Sequence, residues 1–546
     1  MKKILCILFI FLFIISLNLC IVKKRYAETE NTIKTNLVNN IDYVCHTENF
    51  DESKWYMNNL DKMPLPDPHI YEENGTYYIV GTSGFHVSCY STKDFNNYKY
   101  EGIIYDPTLY NGWENPYQAI FAPELYCFDG IYYLYYSAMD DHLIRRNSVV
   151  ASKSVLGPYK PIINNLVDGL NNPLFLDQNV NNSVLDSSVF LDDDGIMYMY
   201  YSVGGAAGQY VVGVKLDNPY MADWSTYKEL VRPGYLDSTF KTKKLSWEEL
   251  RERDQIAEAP AMLKSNGKYY LTYSVNGCWN KYYNVCYAIS NSPLGNFVKP
   301  YKKGKTWTNL LLGYPGDKDS ESLIYQQWSG FASGTGHHCF FKIGDQTMIG
   351  YHAHQNRDWN SDVDPTVRYF AMDYVYFSKK GEPYCNGPSW SPQPLPYAIS
   401  GYQNIAKKAI VKYQNVKKVK YINDDYIEDC YNLIKRNGKE VILGKKYSYI
   451  EFKFDKEYTI GGISIYNSAF YEKMISSIAY IDFGNGNVVI NPVFNYNKNT
   501  NNQLQFIYPC SAISIEFNNI FTSNKVIVCF KTANGANINE IQILGK

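Results

Sequence analysis

The sequence is short of several features that mark common protein classes. It has no surplus of charge: 53 Lys and Arg stand against 54 Asp and Glu over 546 residues. A near-neutral chain argues against nucleic acid or another polyanion as partner. Among its 12 cysteines no two are spaced as Cys-x-x-Cys, which argues against a zinc ribbon. Sustained helical periodicity is missing. One segment, SWEELRERDQ at 246–255, reads as a short loop helix. What remains is a globular composition, with 45% hydrophobic and 20% charged residues, in a chain too long for one ordinary domain. Tyrosine is abundant at 53 residues. It suits strands and sugar-facing surfaces, because it offers a flat apolar face and a polar tip.

The first 27 residues read as a targeting segment. Lys2 and Lys3 precede an apolar stretch from Ile4 to Val22, the pattern of a secretory signal. Cleavage near Ala27 would release a secreted, extracellular protein. Retention, with Lys23, Lys24 and Arg25 following directly, would leave a membrane anchor. In a secreted protein some of the ten later cysteines could pair; Cys278 and Cys286 either meet across a hairpin or remain buried thiols. Asn74 and Asn181 begin glycosylation sequons that matter only in a eukaryotic secretory pathway.

A turn motif recurs along the chain. NGTYYIV lies at 74–80, DGIYYLYYS at 129–137, DGIMYMYYS at 194–202 and NGKYYLTYS at 266–274, with a degenerate copy, IGDQTMIGYHAH, at 343–354. Asn-Gly or Asp-Gly followed by aromatic and β-branched residues is a strong hairpin signal. The turn glycines, Gly75, Gly130, Gly195, Gly267 and Gly344, are 55, 65, 72 and 77 residues apart. Each interval holds about four short strands, so the pattern predicts a five-bladed β-propeller over 55–397. Before each turn stands a polar residue: Asp67, Glu124, Asp186, Glu258 and His337. In a propeller the first strand of each blade lines the axis, so these residues are expected to converge. Singly, each has a plainer reading as a turn, capping or solvated loop residue. Asp67, Asp186 and Glu258 are read as holding equivalent places in three blades, and that shared phase favours a site.

Cleaving a glycosidic bond needs one ionised carboxyl and one protonated carboxyl, and a third carboxylate nearby can hold the acid's proton by like-charge repulsion. Clustered carboxylates also bind calcium, which is the competing reading. The ordered set PDPHI, APEL, LDSSVF, EAPAMLK, GTGHH, YHAH and NGPSWSPQPLP, over about residues 60–397, resembles glycoside hydrolase family 43. That resemblance implies an inverting enzyme on a five-bladed propeller, acting on arabinose- or xylose-containing plant-type polysaccharides or oligosaccharides. It implies Asp67 as general base, Glu258 as general acid and Asp186 as the residue that raises and orients Glu258. It also implies a channel-lining histidine beside a calcium or sodium ion, for which His337 is the match and His338 the fallback; no cofactor is required for the chemistry. Arg368 matches a position that reaches the sugar or the acids. Phe121 stands where relatives carry an aromatic wall, frequently Trp. For Glu124 a structural hydrogen bond is favoured over a pocket role. An α-L-arabinofuranosidase or β-xylosidase is expected, with an endo-arabinanase or a non-catalytic glycan-binding propeller as alternatives.

Beyond Pro396 the character changes. YSYIEFKFDKEYTIGGISIYNSAF at 447–470 and KVIVCFKTANGANINEIQIL at 525–544 alternate like half-buried antiparallel strands. They predict an all-β continuation, a β-sandwich over 400–546. It resembles the discoidin-like, galactose-binding sandwich. Its role is left between carbohydrate binding and packing on the propeller.

Overall fold

The computed structural model describes residues 39–40, 43–45 and 50–546, apart from 59–62, 111, 163–165, 168–169, 172–181, 205–208, 251–254, 281, 306, 314–331, 356–366, 390, 428–438, 476, 493–509 and 533. The N-terminal segment 1–27, Asn181 and Cys430 therefore lie outside the described residues.

Five antiparallel four-stranded sheets follow one another along the chain. Their innermost strands are His69–Glu73, Ile120–Phe128, Ser183–Leu191, Ala257–Ser265 and Ala332–Ile343. Each innermost strand packs on that of the next blade, and the fifth packs on the first, which closes the ring. The sequence produces the hairpins by local turn chemistry. Asn74–Gly75, Asp129–Gly130 and Asn266–Gly267 all have positive φ at both residues, the type I′ geometry that matches strand twist. In the third blade only Gly195 is left-handed, and Asp192 N–H reaches Ile196 O around a longer turn.

The apolar faces are buried between blades. One core cluster joins Val80 and Val87 of the first blade to Leu125, Leu134 and Val150 of the second. Similar clusters fill each later interface, the last joining Ile70 and Ile79 to Met348 and Met372. The tyrosines of the repeats act as scaffold here. Tyr200 is fully buried and its hydroxyl donates to Pro293 O at 3.0 Å, so its polar tip is satisfied while its ring fills the core. The ring is also clasped by a two-stranded pairing of Trp55–Tyr56 with Gln393–Pro394. Asn58 adds to this: its amide donates to Met372 O and Ser389 O, both at 2.8 Å, and its oxygen accepts from Met372 N.

Among the described residues of the SWEELRERDQ segment, expected to be a short loop helix, Ser246–Glu249 form a 3-10 turn. Its Glu248 is fully buried and accepts from Lys299 Nζ at 2.6 Å, Tyr273 OH at 2.8 Å and Asn309 Nδ2 at 2.7 Å. Cys278 and Cys286 both remain thiols, so the cross-hairpin disulfide does not form.

The C-terminal region is a β-sandwich. The 22-residue strand Lys446–Asn467 runs through both of its sheets. Ile450, Phe452 and Val528 from one face meet Ile463, Ile513 and Ile541 from the other. The sequence places this domain at 400–546, but Asn39–Asn40 and Tyr43–Cys45 also join it, pairing with Asn487–Ile490 and Ala512–Phe517. Two-residue and three-residue strands carry too little periodicity to be read from sequence. The sandwich is fastened to the propeller at the clasp, where Tyr466 OH donates to Gln393 Oε1 at 2.9 Å and Ser514 Oγ to Pro392 O at 2.7 Å.

Candidate active site

The site is built on a backbone irregularity that every blade repeats. Asp67, Ala122, Asp186, Ala259 and His337 all have left-handed φ, between 45° and 58°. The last four lie in register shifts of their innermost strands, and Asp67 lies just ahead of its strand. Such a bulge re-aims side chains toward the axis. This corrects the phase inferred from sequence. Asp67, Asp186 and His337 share the left-handed position, whereas Glu258 stands one residue earlier, in the place that Phe121 holds in the second blade. The three carboxyls do converge, but from two register positions.

The left-handed residue leaves its N–H pointing out of its own ladder, and the preceding blade accepts it. Ala122 N–H donates to Thr82 Oγ1 at 2.9 Å, Asp186 N–H to Ser137 Oγ at 3.0 Å, His337 N–H to Ser274 Oγ at 2.9 Å and Asp67 N–H to His352 Nδ1 at 3.1 Å. The fourth blade departs from the pattern. Ala259 N–H donates to Asp186 Oδ2 at 3.1 Å, and Ser202, which occupies the accepting place, has a buried hydroxyl without a hydrogen-bond partner.

The three carboxyls have different surroundings. Asp67 is 6% exposed. Its Oδ1 lies 2.7 Å from Arg368 Nη1, and its Oδ2 accepts from Thr82 Oγ1 at 2.6 Å. Burial pushes this carboxyl up, but the Arg368 guanidinium outweighs it and holds Asp67 well below the usual range. Asp67 is therefore ionised. Asp186 is driven the other way: burial, then the Glu258 and Asp67 charges, push it well above the carboxylate range. Glu258 is 5% exposed and accepts from Tyr283 OH at 2.9 Å. Two buried carboxyls that repel each other titrate as a pair, and the rise at Asp186 favours keeping one proton on that pair beside an ionised Asp67.

The remaining candidates divide. His337 faces the site, with Nδ1 3.4 Å from Asp67 Oδ1. Burial is the main cause that keeps its ring below the usual histidine value. His338 turns away, with Nε2 2.6 Å from Thr272 Oγ1 and its ring edge-on to Phe340. Arg368 reaches Asp67, and its Nε is buried without a hydrogen-bond partner. Phe121 lies under the Arg145 guanidinium, 5.2 Å from the ring centroid. Glu124 is pushed up to about 8 by burial and accepts from Tyr126 OH. Among the described residues no three His, Cys, Asp or Glu side chains group as a metal cage. His337 offers nitrogen beside a carboxylate already engaged by Arg368, a poor match to the oxygen shell that calcium takes.

Sequence reasoning missed Thr82, Tyr283 and His352, which hold the carboxyls in place. His352 Nδ1 lies 3.1 Å from Asp67 N and 3.2 Å from Asp67 Oδ1, and it cannot accept from one and donate to the other at once. Thr82, Ser137 and Ser274 all act as acceptors at this place, and a buried N–H needs one, so Nδ1 carries the lone pair. Burial, followed by the Arg368 charge, lowers this ring to about 3, so it is neutral.

The model of glycosyl hydrolases family 43 matches residues 56–383. A β-D-galactofuranosidase of Aspergillus niger is 27% identical over 257 residues, covering 46% of this chain and 57% of that protein. A xylosidase/arabinosidase of Humicola insolens is 32% identical over 178 residues, covering 28% of this chain and 50% of its own length. The chain thus spans between half and three fifths of these curated relatives. A solved thermostable family-43 glycoside hydrolase aligns at 23% identity and a TM-score of 0.49, over 62% of this chain and 99% of that one. Because the family match runs over more than half of the 546 residues and takes in all five blades, the chain belongs to glycosyl hydrolases family 43.

Proposed function

We propose that the protein is an inverting glycosidase of the α-L-arabinofuranosidase or β-xylosidase type. One observation carries this reading: three buried carboxyls meet at the axis, one clamped by a cation and two sharing a desolvated environment. Ionised Asp67 takes a proton from water as its oxygen bonds to the anomeric carbon. Glu258 gives a proton to the departing oxygen as the glycosidic bond breaks. Asp186 keeps that proton available through repulsion, and the Ala259 N–H fixes its orientation. The partly exposed Arg368 side chain supplies a donor for a sugar hydroxyl, and Phe121 an apolar wall. The relatives' names, which cover galactofuranose, xylose and arabinose, support a pentose or furanose unit as the cleaved sugar.

The test is a panel of chromogenic arabinofuranosides, xylosides and galactofuranosides alongside linear arabinan, with NMR of the first-formed anomer. Inverted product from an arabinosyl or xylosyl substrate is expected. Retained configuration would refute the water-activating role of Asp67, and turnover of arabinan alone would indicate endo action. Glu258→Gln should abolish hydrolysis of substrates with poor leaving groups and partly spare activated aryl glycosides, which need little protonation.

A further inference from the structure

Between Asp67 and Glu258 lies a column of two rings that the chemistry above does not use. Asp67 N–H donates to His352 Nδ1 at 3.1 Å. The His352 ring stacks on Tyr283, with centroids 5.5 Å apart and planes within 10°. Tyr283 OH donates to Glu258 Oε1 at 2.9 Å. Three contacts thus run from the first blade through the fifth to the fourth, and both rings are fully buried. The space for the column has been cleared by a glycine. A Cβ on Gly336 would stand 2.3 Å from Tyr283 Cε1, 2.4 Å from its Cδ1 and 3.0 Å from Ser274 Oγ. Gly336 precedes the left-handed His337, so it occupies in the fifth blade the place that Glu258 fills in the fourth. One blade gives up a side chain there, and the ring that fills the space holds the carboxyl of the neighbouring blade.

We propose that Tyr283, seated by His352 and Gly336, is a positioning residue that aims Glu258 at the leaving-group oxygen. Its hydroxyl occupies Oε1, so the transferable proton sits on Oε2. After transfer the same hydroxyl supports the carboxylate. The column also couples the two ends of the reaction, because the residue that seats Tyr283 is the acceptor that fixes the backbone of Asp67.

This inference rests on the proton-donor role of Glu258, and its test separates the two. Tyr283→Phe keeps the ring and the stack and removes one hydrogen bond to a carboxyl. With a poor leaving group kcat should fall about 10–100-fold at unchanged KM, while activated aryl glycosides lose far less. Gly336→Ala keeps the tyrosine but pushes its ring, and the hydroxyl with it, away from Glu258. It should reproduce the same leaving-group dependence, and it serves where Tyr283→Phe fails to fold. Equal losses on both substrate types, or no loss, in variants with native-like melting would overturn the proposal while Glu258→Gln still discriminates leaving groups. If Glu258→Gln itself fails to discriminate, the donor assignment and this inference fall together.

Discussion

The pairing of Arg368 with Asp67 allows a quantitative test of which carboxyl is ionised. Asp67 is almost wholly buried, and burial alone would raise its proton affinity. Arg368 Nη1, 2.7 Å from Oδ1, supplies the main opposing effect. A cation at such range lowers a carboxyl by about 1–3 pH units. Arg368→Met removes the charge and leaves the burial, so Asp67 should rise by at least that amount, on the order of 1–4 kcal/mol. The acidic limb of kcat/KM reports the free enzyme's base. It should therefore move about 1–3 pH units toward neutrality, with the basic limb unchanged. An activated aryl arabinofuranoside or xyloside is the suitable substrate, because its cleavage is not limited by proton donation. Arg368→Lys keeps the charge and should return most of the limb. Stability must follow the same sign. A carboxyl held below its unfolded value stabilises the fold above that unfolded value, and this contribution is lost as pH falls through the folded value. Arg368→Met should remove that acid-side loss along with the stabilisation at neutral pH. A uniformly lower kcat/KM with an unmoved acidic limb would refute the reasoning and leave Arg368 as a sugar-binding group only.

Two further outcomes concern the frame. Glu124, held up to about 8 mainly by burial, keeps its proton in the folded state after the unfolded chain has lost it. The fold should therefore lose on the order of 5 kcal/mol as pH rises from about 4.5 to 8; Glu124→Gln should flatten the dependence of melting temperature on pH across that window, and parallel curves would refute it. Glu248→Gln leaves Lys299 without its anionic partner in a fully buried site, which should cost about 3–5 kcal/mol in denaturant melts without changing activity per folded molecule.

The propeller was legible in the sequence because its signals are local. Asn-Gly and Asp-Gly turns specify hairpins from two residues each, and their recurrence counts the blades. The phase of the acids was less legible, because a bulge adds a residue that the strand period does not reveal. Counted back from the turn glycine, the left-handed residue lies eight positions away at Asp67, Ala122 and Ala259, nine at Asp186 and seven at His337. Glu258, nine back, matches Asp186 in count but not in place, since the turn of the third blade is longer. The blade-to-blade latches follow a stricter rule that the tyrosines obscured. Thr82, Ser137, Ser202 and Ser274 each fall seven residues after their turn glycine. The serine that closes each YYS or TYS run is the acceptor for the next blade's bulge, and a contact across blades leaves no periodic trace within either. Among these four the rule lapses at Ser202, whose expected donor, Ala259 N–H, turns instead to Asp186, and the fifth blade uses His352, eight residues after its glycine, as the acceptor. The repeat thus gives up its local hydrogen bond beside the Asp186 carboxyl, the kind of departure from local consistency that marks a candidate site.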